Sequence, residues 1–485
     1  MQAKFYSGLI IFYILSFLIT AGSLNAENNF SPVRKIPYFH KKYKDENSSR
    51  GDLFAPYGTI DEHNFVIQCN KMIGPLRTEL CLDLSSKFEF DDDFYLKADK
   101  LSINLGLHSI FSISKKELLL YLSGQGKEVG NLSQKAADFW NKSGNRKLNY
   151  FLNIPSWSAI KVNNRGISPS KWNDRILKII GDARIDESRL KGIELVLARF
   201  FYQEKFTGNS TVEAFYLPDT SVVSIEKEFV VYSQLAKRLK TLFSKTQISG
   251  PGFNGFSPDF KESSQVWLSR VEISDRDTYF NGLSWQEDII WPSEHEENIR
   301  FFDRLFQEKG FKLPYWLRVR HLDISQGLSG FELGIFLCGI TCRQFSYGIK
   351  KSFFPLSPFS SFQQKEAIKK LFWRLHRLAS HRNFLLKTRV GNDQSRTCFA
   401  IIDSRKNKII VVISDLKSRS KKFTLQLKKL PLRRGEKAEL KHEVFSQNFG
   451  VFQKFASLIV TGPYIQHSFL NRAPIIHWLT WEKKR

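Results

Sequence analysis

The feature that most constrains the fold of this chain is a change of pattern near residue 385. From about 66 to 385, short apolar segments typical of strands alternate with longer segments typical of helices. After 385, short β-rich segments are joined by turn sequences such as Gly391-Asn-Asp-Gln and Arg433-Arg-Gly-Glu. The alternation indicates a parallel sheet, either a barrel or an open sheet, and the later segments predict an antiparallel β-sandwich.

Individual elements can be predicted within this pattern. We expect helices over 172–201, 226–243 and 298–307, the last of them ended by Gly310. Strands are expected at 147–154, 210–216 and 315–320 in the first region, and at 384–387, 397–403, 408–414, 423–427 and 439–445 in the second.

The length of 485 residues suits one large domain followed by a smaller one. We divide the chain into residues 1–26, a signal peptide; 27–65, a polar irregular leader; 66–385, the strand–helix region; and 386–485, the sandwich. The hydrophobic fraction of 42% is ample for a large core and excludes a disordered chain.

The N-terminus has the pattern of an export signal. Lys4 supplies a positive charge, Leu9 to Thr20 form an apolar run, and small residues allow cleavage after Ser23 or Ala26. An uncleaved membrane anchor is the alternative. No other segment has the roughly 18 consecutive apolar residues of a membrane span. The sequence therefore predicts a secreted or periplasmic protein with no span beyond the signal segment.

The formal net charge of +25 raises the question of a polyanionic partner. The lysines are spread along the chain, and no zinc-finger spacing, RNA-recognition motif or phosphate-binding loop accompanies them, so we expect no nucleic-acid partner. The five cysteines and ten histidines show no metal-ligand spacing. We therefore expect no metal and no organic cofactor, and cysteines that are buried thiols, although Cys69 and Cys81 could close a short loop.

Several segments follow one another in a recognisable order: Asn153-Ile-Pro-Ser-Trp-Ser158, Val212-Glu-Ala-Phe-Tyr-Leu-Pro-Asp219, Ile248-Ser-Gly-Pro251, Leu283-Ser-Trp285, Leu313-Pro-Tyr-Trp-Leu-Arg-Val-Arg320 and, in the tail, Phe423-Thr-Leu-Gln-Leu-Lys-Lys-Leu-Pro431 and Ser446-Gln-Asn-Phe449. In this order they resemble segments of the family 39 glycoside hydrolases of the β-xylosidase and α-L-iduronidase type. The resemblance implies an α/β fold, a (β/α)8 TIM barrel over 66–385 followed by a C-terminal antiparallel β-sandwich.

The resemblance also implies where the two catalytic glutamates should be. The acid/base position falls on Leu217, at the end of the fourth barrel strand, and the nucleophile position falls on Val319, at the end of the seventh. Neither side chain can transfer a proton or form a glycosyl ester. The favoured interpretation is a pseudoenzyme that binds an extracellular or envelope polysaccharide or oligosaccharide.

The candidate substrate-binding residues are aromatic or basic. Trp157, Tyr216, Trp285 and Trp316 are candidates for stacking on sugars, and Arg318 and Arg320 for contacts to an anionic sugar. Ordinary barrel core is the alternative for each aromatic residue. A solvated face or an internal salt bridge is the alternative for each arginine.

Two other functions stay open at this point. In one, carboxylates have moved and the chain is an active glycosidase that uses Asp219 together with Asp323 or Glu287. In the other, the chain is an envelope interaction protein held to anionic polymers by its charge alone. Salt separates the last from a sugar-binding cleft, because binding driven by charge weakens steeply with ionic strength.

Overall fold

The computed structural model describes residues 64–84, 97–98, 100, 104–107, 149–156, 161–162, 165–166, 169–182, 185–197, 222–254, 260–272, 275–276, 279–289, 292, 295–321, 330–355, 362–390, 395–417, 421–446 and 451–484. The described strands of the first region are β1 (Asn64–Pro75), β2 (Glu79–Leu84), β3 (Asn104–Leu107), β4 (Asn149–Ser156), β5 (Lys161–Val162), β6 (Arg165–Gly166), β7 (Leu190–Leu197), β8 (Gln247–Asn254), β9 (Gly282–Ile289), β10 (Tyr315–His321) and β11 (Lys351–Pro355). The helices are α1 (Pro169–Asp182), α2 (Val222–Leu242), α3 (Phe260–Arg270), α4 (His295–Lys309), α5 (Gly330–Ser346) and α6 (Phe362–Ser380).

Eight of these strands close into a parallel barrel in the order β2-β3-β4-β7-β8-β9-β10-β11. Residues alternate along each strand between the lumen and the helices outside. On β10, for example, Tyr315 bonds the carboxylate of Asp303 on α4, whereas the next residue, Trp316, packs in the lumen against Phe151 of β4. The predicted (β/α)8 fold class is confirmed.

The single helix predicted over 172–201 is wrong. Its second half contains β7, the fourth barrel strand, which pairs with β4 on one side and with β8 on the other. Residues 210–217 themselves lie outside the described residues. The prediction failed because the apolar run of β7 was taken as part of a single helix over 172–201, whereas α1 ends at Asp182.

The second region forms a mixed, nine-stranded sheet. Its other strands are β12 (Asn383–Arg389), β13 (Arg396–Asp403), β14 (Lys408–Asp415), β15 (Lys421–Lys428), β16 (Ala438–Ser446), β17 (Gln453–Val460), β18 (Tyr464–Asn471) and β19 (Ile475–Lys483). The order is β17-β16-β19-β14-β13-β12-β1-β15-β18. All pairs are antiparallel except β1 with β15. The predicted C-terminal sandwich is confirmed as an almost closed sheet of this kind.

The strand β1 precedes the barrel in sequence but belongs to this sheet. Its Val66 lies opposite Arg389 of β12 and Gln426 of β15. The domain boundaries predicted at residues 65 and 385 are not tested by this pairing and stay a prediction. The hydrogen bonding adds that residues 64–75 and 383–389 contribute strands to the sheet.

Polar side chains form a buried chain inside the nine-stranded sheet. His467 lies 3.0 Å from His442, His442 lies 3.0 Å from His477, and His477 lies 2.9 Å from the Asn471 oxygen. Asn471 donates to Asp415, which forms an ion pair with Arg396. The Asn471 oxygen can only accept a hydrogen bond, so His477 donates to it from Nε2. His477 Nδ1 then accepts from His442 Nε2, and His442 Nδ1 accepts from His467 Nε2, so all three imidazoles carry their proton on Nε2. Strands β16 and β18 are not neighbours in the sheet, so this contact shows that the sheet folds back on itself.

All five cysteines are free and buried. The alternative of a Cys69–Cys81 bond is therefore wrong: Cys69 belongs to β1 in the sheet, whereas Cys81 belongs to β2 in the barrel. Burial raises the pKa of Cys69 to about 12, and that of Cys81 well above its ordinary value. Both groups are therefore protonated thiols at neutral pH and not nucleophiles.

Candidate functional site at the carboxyl ends of the barrel strands

In a parallel barrel, ligands bind at the carboxyl ends of the strands, above the side chains that fill the lumen. The lumen here is filled in three layers. The lowest layer is polar: Lys351, at the start of β11, lies 2.6 Å from the Glu79 carboxylate of β2, which also accepts a hydrogen bond from Asn104 of β3. The Lys351 ammonium also lies 4.4 Å from the centre of the Phe151 ring.

The middle layer is aromatic. Phe151, Trp316 and Phe353 pack edge to face, with ring centres 5.4 and 5.7 Å apart. Gly192 and Gly282 make room for the indole of Trp316: a Cβ at Gly192 would come within 2.5 Å of it, and one at Gly282 within 2.6 Å. The layer has no space for a sugar, so it closes the floor of any site above it.

The upper layer is polar and lies closest to the carboxyl ends. It consists of Asn153 on β4, Glu194 on β7 and Arg318 on β10, all buried. Arg318 forms an ion pair with Glu194, and the Asn153 amide donates to the same carboxylate over 2.8 Å. The Arg318 guanidinium also lies 5.3 Å from the centre of the Phe353 ring. The fourth and seventh barrel strands are therefore tied together across the lumen by opposite charges.

This arrangement decides between the two interpretations of Arg318. The sequence left open whether this arginine faces a ligand or an internal salt bridge, and the structure places it in the salt bridge. Glu194 forms an ion pair with Arg318 and accepts a hydrogen bond from the Asn153 amide, and contacts of this kind favour the charged form of a carboxyl group. Glu194 is therefore poorly suited to act as a general acid.

The predicted catalytic positions have different outcomes. Val319 lies in β10, and its backbone pairs in register with Glu287 of β9. The fourth barrel strand ends at Leu197, and Leu217 lies outside the described residues. The assignment of Leu217 and the replacement of both glutamates stay predictions.

Two of the predicted stacking residues are core. Trp285 is fully buried between β9 and α4, with its ring centre 4.8 Å from that of Phe302. Trp316 fills the middle layer described above. Neither ring has a face open to a sugar, so their assignment to substrate binding is wrong; both lie within the barrel wall or lumen, where large aromatic side chains pack efficiently.

The fallback carboxylate Glu287 is also structural. Its Oε1 accepts hydrogen bonds from the Trp285 indole over 2.5 Å and from Asn298 of α4 over 2.8 Å. Like Trp285, Glu287 is on the outward face of β9, because the two are separated by two residues. It therefore points away from the lumen, toward the helix layer, and does not serve in an acid pair at the mouth.

The remaining candidates are not tested by these contacts. Trp157, Tyr216, Asp219 and Asp323 lie outside the described residues. For Arg320 the structure describes the backbone, which pairs with Asp288 in the upper part of the barrel wall. Its role in contacting an anionic sugar stays a prediction.

Sequence reasoning missed Glu194 and Asn153 as functional neighbours. A signal was present: Glu194 is the one acidic residue in the apolar run Leu190-Lys-Gly-Ile-Glu-Leu-Val-Leu197. A lone carboxylate inside a buried strand calls for a buried partner. The identity of that partner, Arg318, depends on the barrel closing, which spacing along the chain does not reveal.

Across the described ranges, no three or more histidine, cysteine, aspartate or glutamate side chains converge in a way that would hold a metal ion. Among the helices described there, none combines the length and the apolar character required to cross a bilayer.

The chain has a barrel-and-sandwich fold of the kind found among glycoside hydrolases. A glucosidase from Croceicoccus marinus aligns with a TM-score of 0.56 and 11% identity, over 87% of this chain and 99% of that one. A GH39 enzyme from Xanthomonas axonopodis pv. citri aligns at 0.51 and 11%, over 87% and 97%. An alpha-L-arabinofuranosidase from Thermotoga maritima aligns at 0.52 and 11%, over 86% and 99%. No family model and no curated protein matches the sequence. At this identity the likeness shows the fold alone.

Proposed function

We propose that this chain is an exported glycoside-hydrolase-like protein that binds a polysaccharide or oligosaccharide at the mouth of its barrel without the retaining reaction of two glutamates. The observation that carries the proposal is the ion pair between Glu194 and Arg318. It places opposite charges on the two strands from which the resembled family supplies its two carboxylates.

The retaining reaction requires a proton donor and an attacking carboxylate about 5–5.5 Å apart. Here the seventh strand contributes Arg318 and Val319, and the described carboxylate of the fourth strand is bound to Arg318. Such a lumen supports a rigid floor beneath a bound sugar. Among the described residues of these two strands, Glu194 is the one carboxylate, so a second carboxyl group for proton transfer or covalent attack is absent there.

The alternative of relocated carboxylates receives less support. Glu287 is occupied by Trp285 and Asn298 on the outward face of its strand. A pair of Asp219 with Asp323 is the form of this alternative that is still open to test. Export is supported by the sequence of the first 26 residues alone.

The test measures binding and turnover on the same samples. The full chain is mixed with xylohexaose, cellohexaose and arabinohexaose, sugars suggested by the names of the similar enzymes, and with a glucuronate-bearing xylo-oligosaccharide. Affinity is measured by calorimetry and products by chromatography. We expect binding of at least one oligosaccharide, with the sugar recovered intact; shorter products, or binding of none of them, would overturn the proposal.

Variants locate the binding and the chemistry. Arg320→Ala is expected to weaken binding of the glucuronate-bearing sugar, whereas Arg304→Ala, which changes an exposed arginine of α4, leaves it unchanged. If products do appear, Asp219→Asn and Asp323→Asn show whether the relocated pair forms them. Loss of product formation in both variants would establish the active alternative.

A further inference from the structure

Four adjacent strands of the nine-stranded sheet contain no acidic residue. They are β12, β1, β15 and β18, which are neighbours in that order. Their sequences hold no aspartate or glutamate and six basic residues: Lys71, Lys387, Arg389, Lys421, Lys422 and Lys428. By contrast, β16 and β19 at the other end of the sheet carry Glu439, Glu443 and Glu482. We call the outward surface of the four strands the acid-free face.

The strand register arranges the acid-free face in rows. One row runs Lys387, Gln68, Lys428 and Tyr464, each directly opposite the next. The next row along the strands runs Arg389, Val66, Gln426 and Gln466. Four strands spaced about 4.8 Å apart make each row about 14 Å long. The two rows therefore place cations, amides and one aromatic ring side by side on this part of the sheet.

The outer end of the first row is open to solvent. Tyr464 is 47% exposed, and its neighbours Lys428 and Gln466 are also exposed. The Tyr464 hydroxyl donates to the Gln466 side chain over 3.0 Å, which fixes the position of the ring. The third row adds hydroxyls, with Thr424 and Ser468 joined over 3.1 Å. An exposed ring flanked by amides and hydroxyls offers a stacking platform and hydrogen bonds to a sugar.

We propose that the acid-free face binds an anionic polysaccharide, as a second carbohydrate site separate from the barrel. Tyr464 stacks on a sugar ring, Lys428 bonds a carboxylate or sulfate group, and Gln426 and Gln466 bond hydroxyls. The proposal goes beyond the barrel site and does not depend on it.

Charge density favours a polysaccharide over a nucleic acid. Lys387 and Lys428 are two strands apart, about 10 Å, and Lys422 and Lys428 are six residues apart, about 20 Å. Double-stranded DNA carries one charge per about 1.7 Å of its axis. A face with widely spaced cations among many amides suits a polymer that has fewer charges per unit length than DNA, about one per sugar, and many hydroxyls.

The test uses a pair of polymers that differ only in charge. Calorimetry measures binding of oligogalacturonate and of its fully methyl-esterified form to the full chain, with oligo-dT as a competitor. We expect oligogalacturonate to bind more tightly than the ester and to resist displacement by oligo-dT. Equal binding of both forms, or easy displacement by oligo-dT, would overturn the proposal.

Matched variants assign the binding to this face. Lys428→Glu is expected to weaken binding of oligogalacturonate by about tenfold or more, since it removes a charge-assisted hydrogen bond. Tyr464→Ala weakens binding of both polymers. Lys454→Glu makes the same charge change on exposed β17 and leaves the affinity within about twofold. Equal losses of affinity in Lys428→Glu and Lys454→Glu would show that oligogalacturonate is attracted by the net charge of the protein and not by this face.

Different results would contradict the barrel proposal and the proposal for the acid-free face. The Lys428 and Tyr464 variants leave binding of neutral hexasaccharides at the barrel unchanged. Loss of hexasaccharide binding in those variants would mean that the face is the sole carbohydrate site and would overturn the barrel proposal. Loss of oligogalacturonate binding in Arg320→Ala, with Lys428→Glu unaffected, would overturn the proposal for the face.

Discussion

The barrel lumen and the acid-free face use basic residues in opposite ways. In the lumen, Arg318 lies against Glu194 and Lys351 lies against Glu79. On the face, Lys422 and Lys428 stand exposed on strands that contain no acidic residue. A buried charge must be matched within the protein, whereas an exposed one can be matched by a partner. The lumen charges therefore serve the fold, and the exposed Lys422 and Lys428 are accessible to a partner.

The largest expected effect comes from breaking the lumen pair. Glu194→Gln leaves Arg318 buried without this counter-ion and should lower the free energy of unfolding by about 3–5 kcal/mol in urea titrations. Replacing both residues by methionine should recover most of the loss, because two apolar side chains need no partner. A single-variant loss below about 1 kcal/mol, typical of exposed pairs, would contradict the contrast between lumen and face.

The second largest effect concerns the histidine chain in the sheet. Burial and, second, the neighbouring His467 lower the pKa of His442 to about 3 from the ordinary 6.5. Between pH 3 and pH 6.5 the unfolded chain binds a proton at His442 more readily than the folded chain does. The contribution of His442 to the free energy of unfolding is therefore complete above pH 6.5 and is lost as the pH falls toward 3. Urea titrations should show a loss of about 1.4 kcal/mol per pH unit for this group. His442→Gln should reduce the slope, whereas His381→Gln, which changes an exposed histidine, should not.

A smaller effect tests whether the lumen is filled. Gly192→Ala would place a methyl group within 2.6 Å of the Phe151 ring and closer still to Trp316, and should cost about 1–3 kcal/mol by overpacking. Gly74→Ala is the matched control, since nothing lies within 4 Å of its Cβ position. Equal stability of the two variants would mean that the Trp316 ring can move aside, and the lumen would not be the closed floor described here.

The smallest expected effect is on the face. Lys422→Ala and Lys428→Ala should each change the free energy of unfolding by less than about 0.5 kcal/mol, because exposed side chains contribute little to folding. The same urea titrations measure this change. A loss comparable with that of Glu194→Gln would show that these lysines hold the sheet together and are not free for a ligand.

The sequence predicted the architecture better than the site. Alternating apolar residues placed five strands of the sheet within a few residues, for example 408–414 against Lys408–Asp415, whereas β1, β17, β18 and β19 were not predicted. The strand at 315–320 was also predicted correctly, because its apolar run follows a helix ended by Gly310. Local periodicity is sufficient for elements of this type.

The site depends on contacts that local pattern does not contain. Trp285 and Trp316 look alike as candidates for stacking, yet one faces α4 and the other faces the lumen. The phase of each strand decides which face a residue takes, and only the closed barrel fixes that phase. The Glu194–Arg318 pair likewise joins strands that are not neighbours. The acid-free face could not be predicted from local pattern because its four strands come from four separate parts of the chain.

The most direct test of the account is a crystal structure of the full chain soaked with an oligosaccharide that binds it. We predict a sugar above the upper lumen layer, with Glu194 still paired to Arg318 beneath it and no two carboxyl groups flanking a glycosidic bond at about 5–5.5 Å or 6.5–9.5 Å. A facing pair of carboxyl groups at either separation would contradict the account and identify an active glycosidase.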